Sequence, residues 1–259
     1  MRNKMVYLMV LCIFLTVLSG CASQPPVKPD MKAEVSAILK ENPEIIIDVL
    51  KKNSSSVYDI VIEGQEKKQK MAEIQRRVAQ MKNPLKPEIE TNRIIKGNAS
   101  APIKIVEYSD FQCPYCAVGA KTMEQLFKKY DGRIRLIYKH NPLPFHKAAL
   151  PAAVYFEAIA RQDSKKALKF HDILFADQRR LEKGEQALRE IAASLGIDMK
   201  ILDKDLKSKE VIERIQKDMA EANKFGFSGT PAFIVNGISL PGAYPLQEFI
   251  EVIEMTEKK

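Results

Sequence analysis

Two cysteines only two residues apart, Cys113-Pro114-Tyr115-Cys116, stand between an apolar β-branched run, Ile103 to Tyr108, and a helical pattern that continues to about Lys129. This places the pair where a buried strand hands over to the first turn of a helix. A cysteine there faces unpaired backbone N–H groups and the positive end of the helix dipole, and both stabilise a thiolate. Pro114 suits the first turn, where its missing N–H costs nothing. The two-residue spacing brings Cys116 nearly onto the same helical face, so it can displace whatever Cys113 has captured. These features point to Cys113 as the exposed attacking thiol and Cys116 as the resolving one. Half a zinc site is the competing reading, but zinc wants four ligands and the three histidines lie far off with no ligand spacing. No metal and no cofactor beyond the cysteine pair itself is expected.

The use of the other cysteines supports reactivity. Arg2 and Lys4 open a segment that is almost wholly apolar from Met5 to Leu18 and ends in Leu18-Ser19-Gly20-Cys21. The apolar run is too short to span a membrane comfortably and reads as a secretory signal, residues 1–20. Leu-Ser-Gly-Cys resembles the lipobox of bacterial lipoproteins, which implies that Cys21 is acylated and begins the mature chain, with 21–29 as a polar tether. Cys12 leaves with the signal, so only Cys113 and Cys116 remain free. Exported proteins usually staple loops with cysteines, yet this pair closes almost no loop and adds little entropic stabilisation. A disulfide of so little use to folding is better explained by its chemistry.

Loss of Arg2 and Lys4 takes the formal charge from +8 to +6. The basic residues are spread out and matched locally by acids, as from Glu66 to Arg77, so the chain shows no nucleic-acid footprint.

Residues 30–82 read as a helical arm. Asp30 caps a helix through Val35, Ile38 and Leu39, and Pro43 restarts the chain ahead of Ile45 to Leu50. A long helix follows from about Ser56 to Lys82. Its positions Val57, Ile60, Gly64, Lys67, Met71, Ile74, Val78 and Met81 are spaced alternately three and four, like a heptad seam with a weak middle. Packing within its own domain is one reading; self-association into a homo-oligomer is preferred, because charges fill the other faces. The proline-bearing stretch 83–90 reads as a linker to a domain at 91–259.

In that domain the order is strand, helix, strand, a helical insert at about 144–226, a hairpin turning at Asn236-Gly237, and a last helix from Pro245 to about Met255. Breaks in the insert fall near 162–164, 183–184 and 196–198. The fold class is therefore α/β, with an inserted helical module and a preceding arm.

The stretch from Ala101 to Cys116, with Glu107-Tyr108-Ser109-Asp110-Phe111-Gln112 leading into the cysteines, closely resembles the DsbA-like branch of the thioredoxin superfamily. So does Gly229-Thr230-Pro231-Ala232-Phe233-Ile234-Val235-Asn236-Gly237. The resemblance covers about 91–259 and implies a thioredoxin fold and thiol–disulfide exchange. It implies that Pro231 follows a cis peptide bond and that Thr230 leaves its backbone free to pair with an extended substrate. Glu107, six residues before Cys113, would be the buried acid whose raised pKa lets it exchange a proton with Cys116. Clients would be cysteine-containing unfolded or misfolded exported proteins, with a membrane redox partner of DsbB-like or DsbD-like type.

Departures bear on direction. Tyr115 stands where strongly oxidising members carry histidine, and a neutral ring cannot stabilise the thiolate electrostatically. Thr230 and the N-terminal arm resemble isomerase-type members. Disulfide formation or isomerisation in the cell envelope is expected, lipid-anchored and with the outer membrane favoured by Ala22. A reductase and a non-catalytic surface lipoprotein or holdase are the alternatives. For His140 and His146 a structural or surface role is expected rather than tuning of the active site, and His171 is expected to be a helix-surface residue. Phe111, Tyr115, Phe225 and Phe227 would form core or an apolar rim.

Overall fold

Asp30 accepts a hydrogen bond from the Lys32 N–H (3.1 Å) and starts α1, Met31–Glu41. Pro43 takes the first position of α2, Pro43–Lys52, and α3 runs over Ser54–Lys82. The computed structural model describes residues 30–90 and 92–258; the expected signal segment, Cys21 and the tether lie outside them. The chain gathers into two compact units, the first ending at Gln69 and the second beginning at Lys70, inside α3. In the first unit α1 and α2 bury no residue, and Val35, Ile38, Ile45 to Ile47, Val49, Leu50 and Ile60 are all exposed.

The second unit is built on five strands: β1 (Ile95–Gly97), β2 (Ile103–Ser109), β3 (Ile134–His140), β4 (Ala232–Val235) and β5 (Ile238–Pro241). Their order is β1-β3-β2-β4-β5, with β2 and β3 parallel and the other pairs antiparallel. Between β2 and β3 lies α4, Pro114–Lys129. The insert consists of α5 (Ala149–Gln162), α6 (Ser164–Ala176), a 3₁₀ segment (Gln178–Lys183), α7 (Glu185–Ser194), α8 (Met199–Asp205) and α9 (Lys209–Lys224). The last helix, α10, is Leu246–Glu257. Side chains at the insert's breaks make its caps: Asp163 accepts from Lys165 and Lys166 N–H, and Asp198 from Lys200 and Ile201 N–H.

Alternation along β2 decides which layer each residue serves. Ile103 and Ile105 face α4 and α10, in a core with Leu126, Phe233 and Phe249. Val106 and Tyr108 face the other way, with Ala222 and Phe227. Glu107 and Ser109 share the parity of Ile103 and so point to the α4 side, under the cysteines. The insert has a core of its own, around Phe156, Phe170 and Leu188, which reaches Phe111, Cys113, Cys116 and Tyr138.

Two features differ from the sequence expectation. The edge strand β1 is only three residues long, too short to show alternation. His171 is buried, at 4% exposure, because it shares the inward face of α6 with Ala167, Phe170, Leu174 and Phe175. Its ring packs edge-on to Tyr138 and Phe175, and burial pushes its pKa down, opposed by the Asp172 carboxylate at 2.9 Å.

Candidate active site

The turn before α4 is fixed by one carboxylate. Asp110 ends β2 and is itself fully buried; its Oδ1 accepts from the N–H groups of Gln112 (2.7 Å) and Cys113 (3.2 Å). Cys113 is thereby held as the residue ahead of the helix, with Pro114 in the first turn. Cys116 is wholly buried one turn on, and the Asp110 N–H points at its sulfur (3.4 Å). Both cysteines are free thiols.

Across from the pair lies the Thr230–Pro231 peptide bond, which is cis. The Thr230 carbonyl accepts from the Cys113 thiol at 3.3 Å. The Thr230 hydroxyl has no other partner and is free to turn toward the sulfur. Close approach of α4 to this loop depends on Gly119, where a Cβ would come within 3.2 Å of the Pro231 ring and 3.1 Å of Phe233. Cys113 was expected to be exposed, yet only 4% of its surface is open. The Thr230–Pro231 loop and the edge of the insert core both pack against it.

The two thiols are driven apart in acidity. Cys113 is pulled down to about 5, chiefly by the hydrogen bond from the Cys116 thiol and with help from Thr230 and the backbone N–H groups of Tyr115 and Cys116, against the opposing effect of burial. Burial pushes Cys116 far up, as does its bond to Cys113. Cys113 is therefore the more readily ionised of the two, and Cys116 the one that keeps its proton.

Glu107 lies in the sheet below, fully buried, with neither carboxyl oxygen hydrogen-bonded. Burial raises it to about 7, opposed only in part by the nearby Ser109 hydroxyl and the Lys96 charge. The Tyr138 hydroxyl and Ser109 Oγ are buried there too without partners. A cavity of about 310 Å³ reaches Glu107 past α4 and is lined also by Lys96, Lys121, His171 and Asp172.

Five hydrogen bonds from beyond the sheet hold the turn, and no local sequence pattern signals these pairings. Gln178 Nε2 donates to the carbonyls of Phe111 and Cys113, both at 2.8 Å. Gln112 Oε1 accepts from the Ala148 N–H (2.7 Å). Asp110 Oδ2 accepts from the Leu143 N–H and from His146 Nδ1, each at 2.8 Å. Asp110 reads in sequence as a strand-ending turn former, and Gln178 is distant along the chain. Of the aromatic residues, Phe111 is core and Tyr115 is 65% exposed beside the cysteines. His140 is structural: it is buried against Glu157 (3.0 Å), inside a charge network of Arg93, Asp218, Lys139 and Arg214.

A cysteine at a helix start, a buried partner thiol and the Thr230–Pro231 loop facing them form a thiol pair suited to thiol–disulfide exchange on a thioredoxin fold. The thioredoxin family model Thioredoxin_4 matches residues 90–255, and the chain belongs to that family. A thioredoxin-like oxidoreductase from Silicibacter pomeroyi DSS-3 is 28% identical with a TM-score of 0.58, covering 66% of this chain and 95% of that one. The thiol-disulfide exchange protein alpha-DsbA2 from Wolbachia pipientis shares the fold at 22% identity and a TM-score of 0.58, covering 69% and 93%. Among curated proteins, a Na(+)/H(+) antiporter NhaA of Herminiimonas arsenicoxydans is 34% identical over 175 residues, which is 68% of this chain and 27% of the antiporter. The chain thus spans about a quarter of such relatives. No described helix is long and apolar enough to cross a membrane.

Proposed function

We propose that the protein forms or isomerises disulfide bonds in exported proteins through Cys113 and Cys116. The acidity split between the two sulfurs carries this reading. In isomerisation, the Cys113 thiolate attacks a client disulfide and forms a mixed disulfide, and the displaced client sulfur leaves as a thiolate. That thiolate attacks a different client disulfide, and Cys113 is released by client attack or by Cys116, which closes the Cys113–Cys116 disulfide. In oxidation, a client thiolate attacks the closed disulfide at Cys113 and Cys116 leaves as a thiolate; a second client thiolate then attacks the mixed disulfide, which forms the client disulfide and releases Cys113 as a thiolate. Glu107, at about 7, supplies the proton that Cys116 takes up and recovers it when Cys116 is next deprotonated. Thr230 and Pro231 present backbone to an extended client, and no cofactor or metal is needed. Tyr115 brings no positive charge, which favours isomerase or mixed activity over strong oxidation.

The test is a scrambled-RNase refolding assay beside a reduced-RNase oxidation assay, with Cys113→Ser as control. Refolding that outpaces oxidation, and loss of both with Cys113→Ser, is expected. A reduction potential far below that of the compartment would instead favour a reductase, and full activity of Cys113→Ser would leave only a binding role.

The sequence supports export and lipid attachment at Cys21, which Cys21→Ser should abolish as loss of membrane fractionation. The exposed apolar residues of α1, α2 and the first turns of α3 support a self-association arm with membrane redox partners reached by the anchored form. Deleting residues 30–69 should reduce the native mass to that of a monomer; a monomeric full-length chain would rule the arm out.

A further inference from the structure

Asp110 touches both halves of the redox pair through the backbone, and its carboxylate collects four donors. Three are backbone N–H groups, of Gln112, Cys113 and Leu143; the fourth is His146 Nδ1. An ionised carboxylate buried this completely is tolerable only when every lone pair is matched. It also places a negative charge beside the residue that must itself become an anion, and like charge disfavours ionisation. His146 is the one side chain among the four donors. It sits in the 141–148 loop that leads from β3 to α5, its ring against Phe145 and its side chain 17% exposed.

We propose that His146 is a positioning residue of the redox centre, acting through Asp110: its Nδ1–H orients the buried carboxylate and offsets its charge, which holds the turn and favours the Cys113 thiolate. The direction does not depend on the charge of the ring. A neutral imidazole presents the positive end of its N–H dipole, and an imidazolium adds a full charge. Loss of either leaves the Asp110 carboxylate more negative toward Cys113, with its three backbone donors still in place. The consequence reaches the redox equilibrium, because a less stable thiolate makes the reduced form less stable and the disulfide less oxidising.

The inference rests on the thiol–disulfide reading, and the experiment separates the two. Cys113 is titrated by thiolate absorbance in the reduced full-length protein, and its potential is measured against glutathione. His146→Phe should raise the Cys113 pKa by about one unit, a tenfold smaller dissociation constant that corresponds to about 30 mV lower potential. His146→Asn, whose amide can donate from the Nδ1 position, should stay close to wild type, whereas His146→Gln, whose amide reaches the Nε2 position, should behave like Phe. In an Asp110→Asn background, His146→Phe should add little. Should the Phe variant be unfolded, the Asn and Gln variants carry the comparison. An unshifted Cys113 in His146→Gln, or an equal shift with and without the Asp110 carboxylate, overturns the proposal. A wild-type Cys113 that titrates as an ordinary thiol and forms no mixed disulfides would instead defeat the underlying reading.

Discussion

Two buried carboxylates three residues apart on the same strand end do opposite things. Asp110, at the turn above the sheet, is saturated with four donors. Glu107, inside the sheet, has none. The first is an acceptor that shapes the backbone; the second, raised to about 7 by burial, is suited to taking and giving a proton. The contrast shows that burial alone does not determine a carboxylate's role. What decides it is whether backbone donors converge on the site: they do where the chain turns, and they do not mid-strand, where the N–H groups are spent on the neighbouring strands.

That contrast can be broken most sharply at Asp110. Asp110→Ala should destabilise the protein by on the order of 3–5 kcal/mol in denaturant unfolding, because several buried N–H groups lose their acceptor at once. An effect below about 1 kcal/mol would show that those groups find water instead.

Glu107→Leu should go the other way, stabilising by about 1–3 kcal/mol at pH 8. The unfolded carboxyl ionises near 4.5 and the folded one near 7. Between these values only the unfolded state loses its proton, so wild-type stability falls as pH rises through that window and the loss persists above it. The Leu variant should lack this slope and should exchange disulfides more slowly. A wild-type profile that is flat from pH 4.5 to 7 would contradict the assignment.

The smallest expected effect is at Gln178. Gln178→Leu removes the donor shared by two carbonyls of the turn and should cost about 1–2 kcal/mol. Faster hydrogen exchange is expected in residues 111–116, with little change around Glu107. Equal loosening on both sides would mean that the turn and the sheet interior are not separately held.

Much of this architecture was legible in the residues. Pro114 to Lys129 was read as a helix and is one, Asp30 and Pro43 start helices as their chemistry requires, and Asn236-Gly237 turns the β4–β5 hairpin with φ of 47° and 94°. Glu107 stood out as an acid in an apolar run. Asp110 did not, since an aspartate after a strand is the ordinary residue of a turn. The pairing of His146 with Asp110, and of Gln178 with the cysteine loop, arises only when the insert folds back on the sheet, and no local pattern encodes it. His171 lies in phase with Phe170 and Leu174, so the helix period already places it inward.

The end of α3 adds a last point. Ser239 lies on β5, at the rim of the sheet, and its outward N–H and carbonyl are both taken, by Gln80 Oε1 at 2.8 Å and Arg76 at 2.6 Å, while the Leu85 N–H occupies the Gly237 carbonyl. A sheet rim with open N–H and C=O groups is a template on which another chain can add a strand. Here the rim is already occupied by the chain's own side chains and linker, so another chain finds no backbone ladder there on which to grow an aggregate.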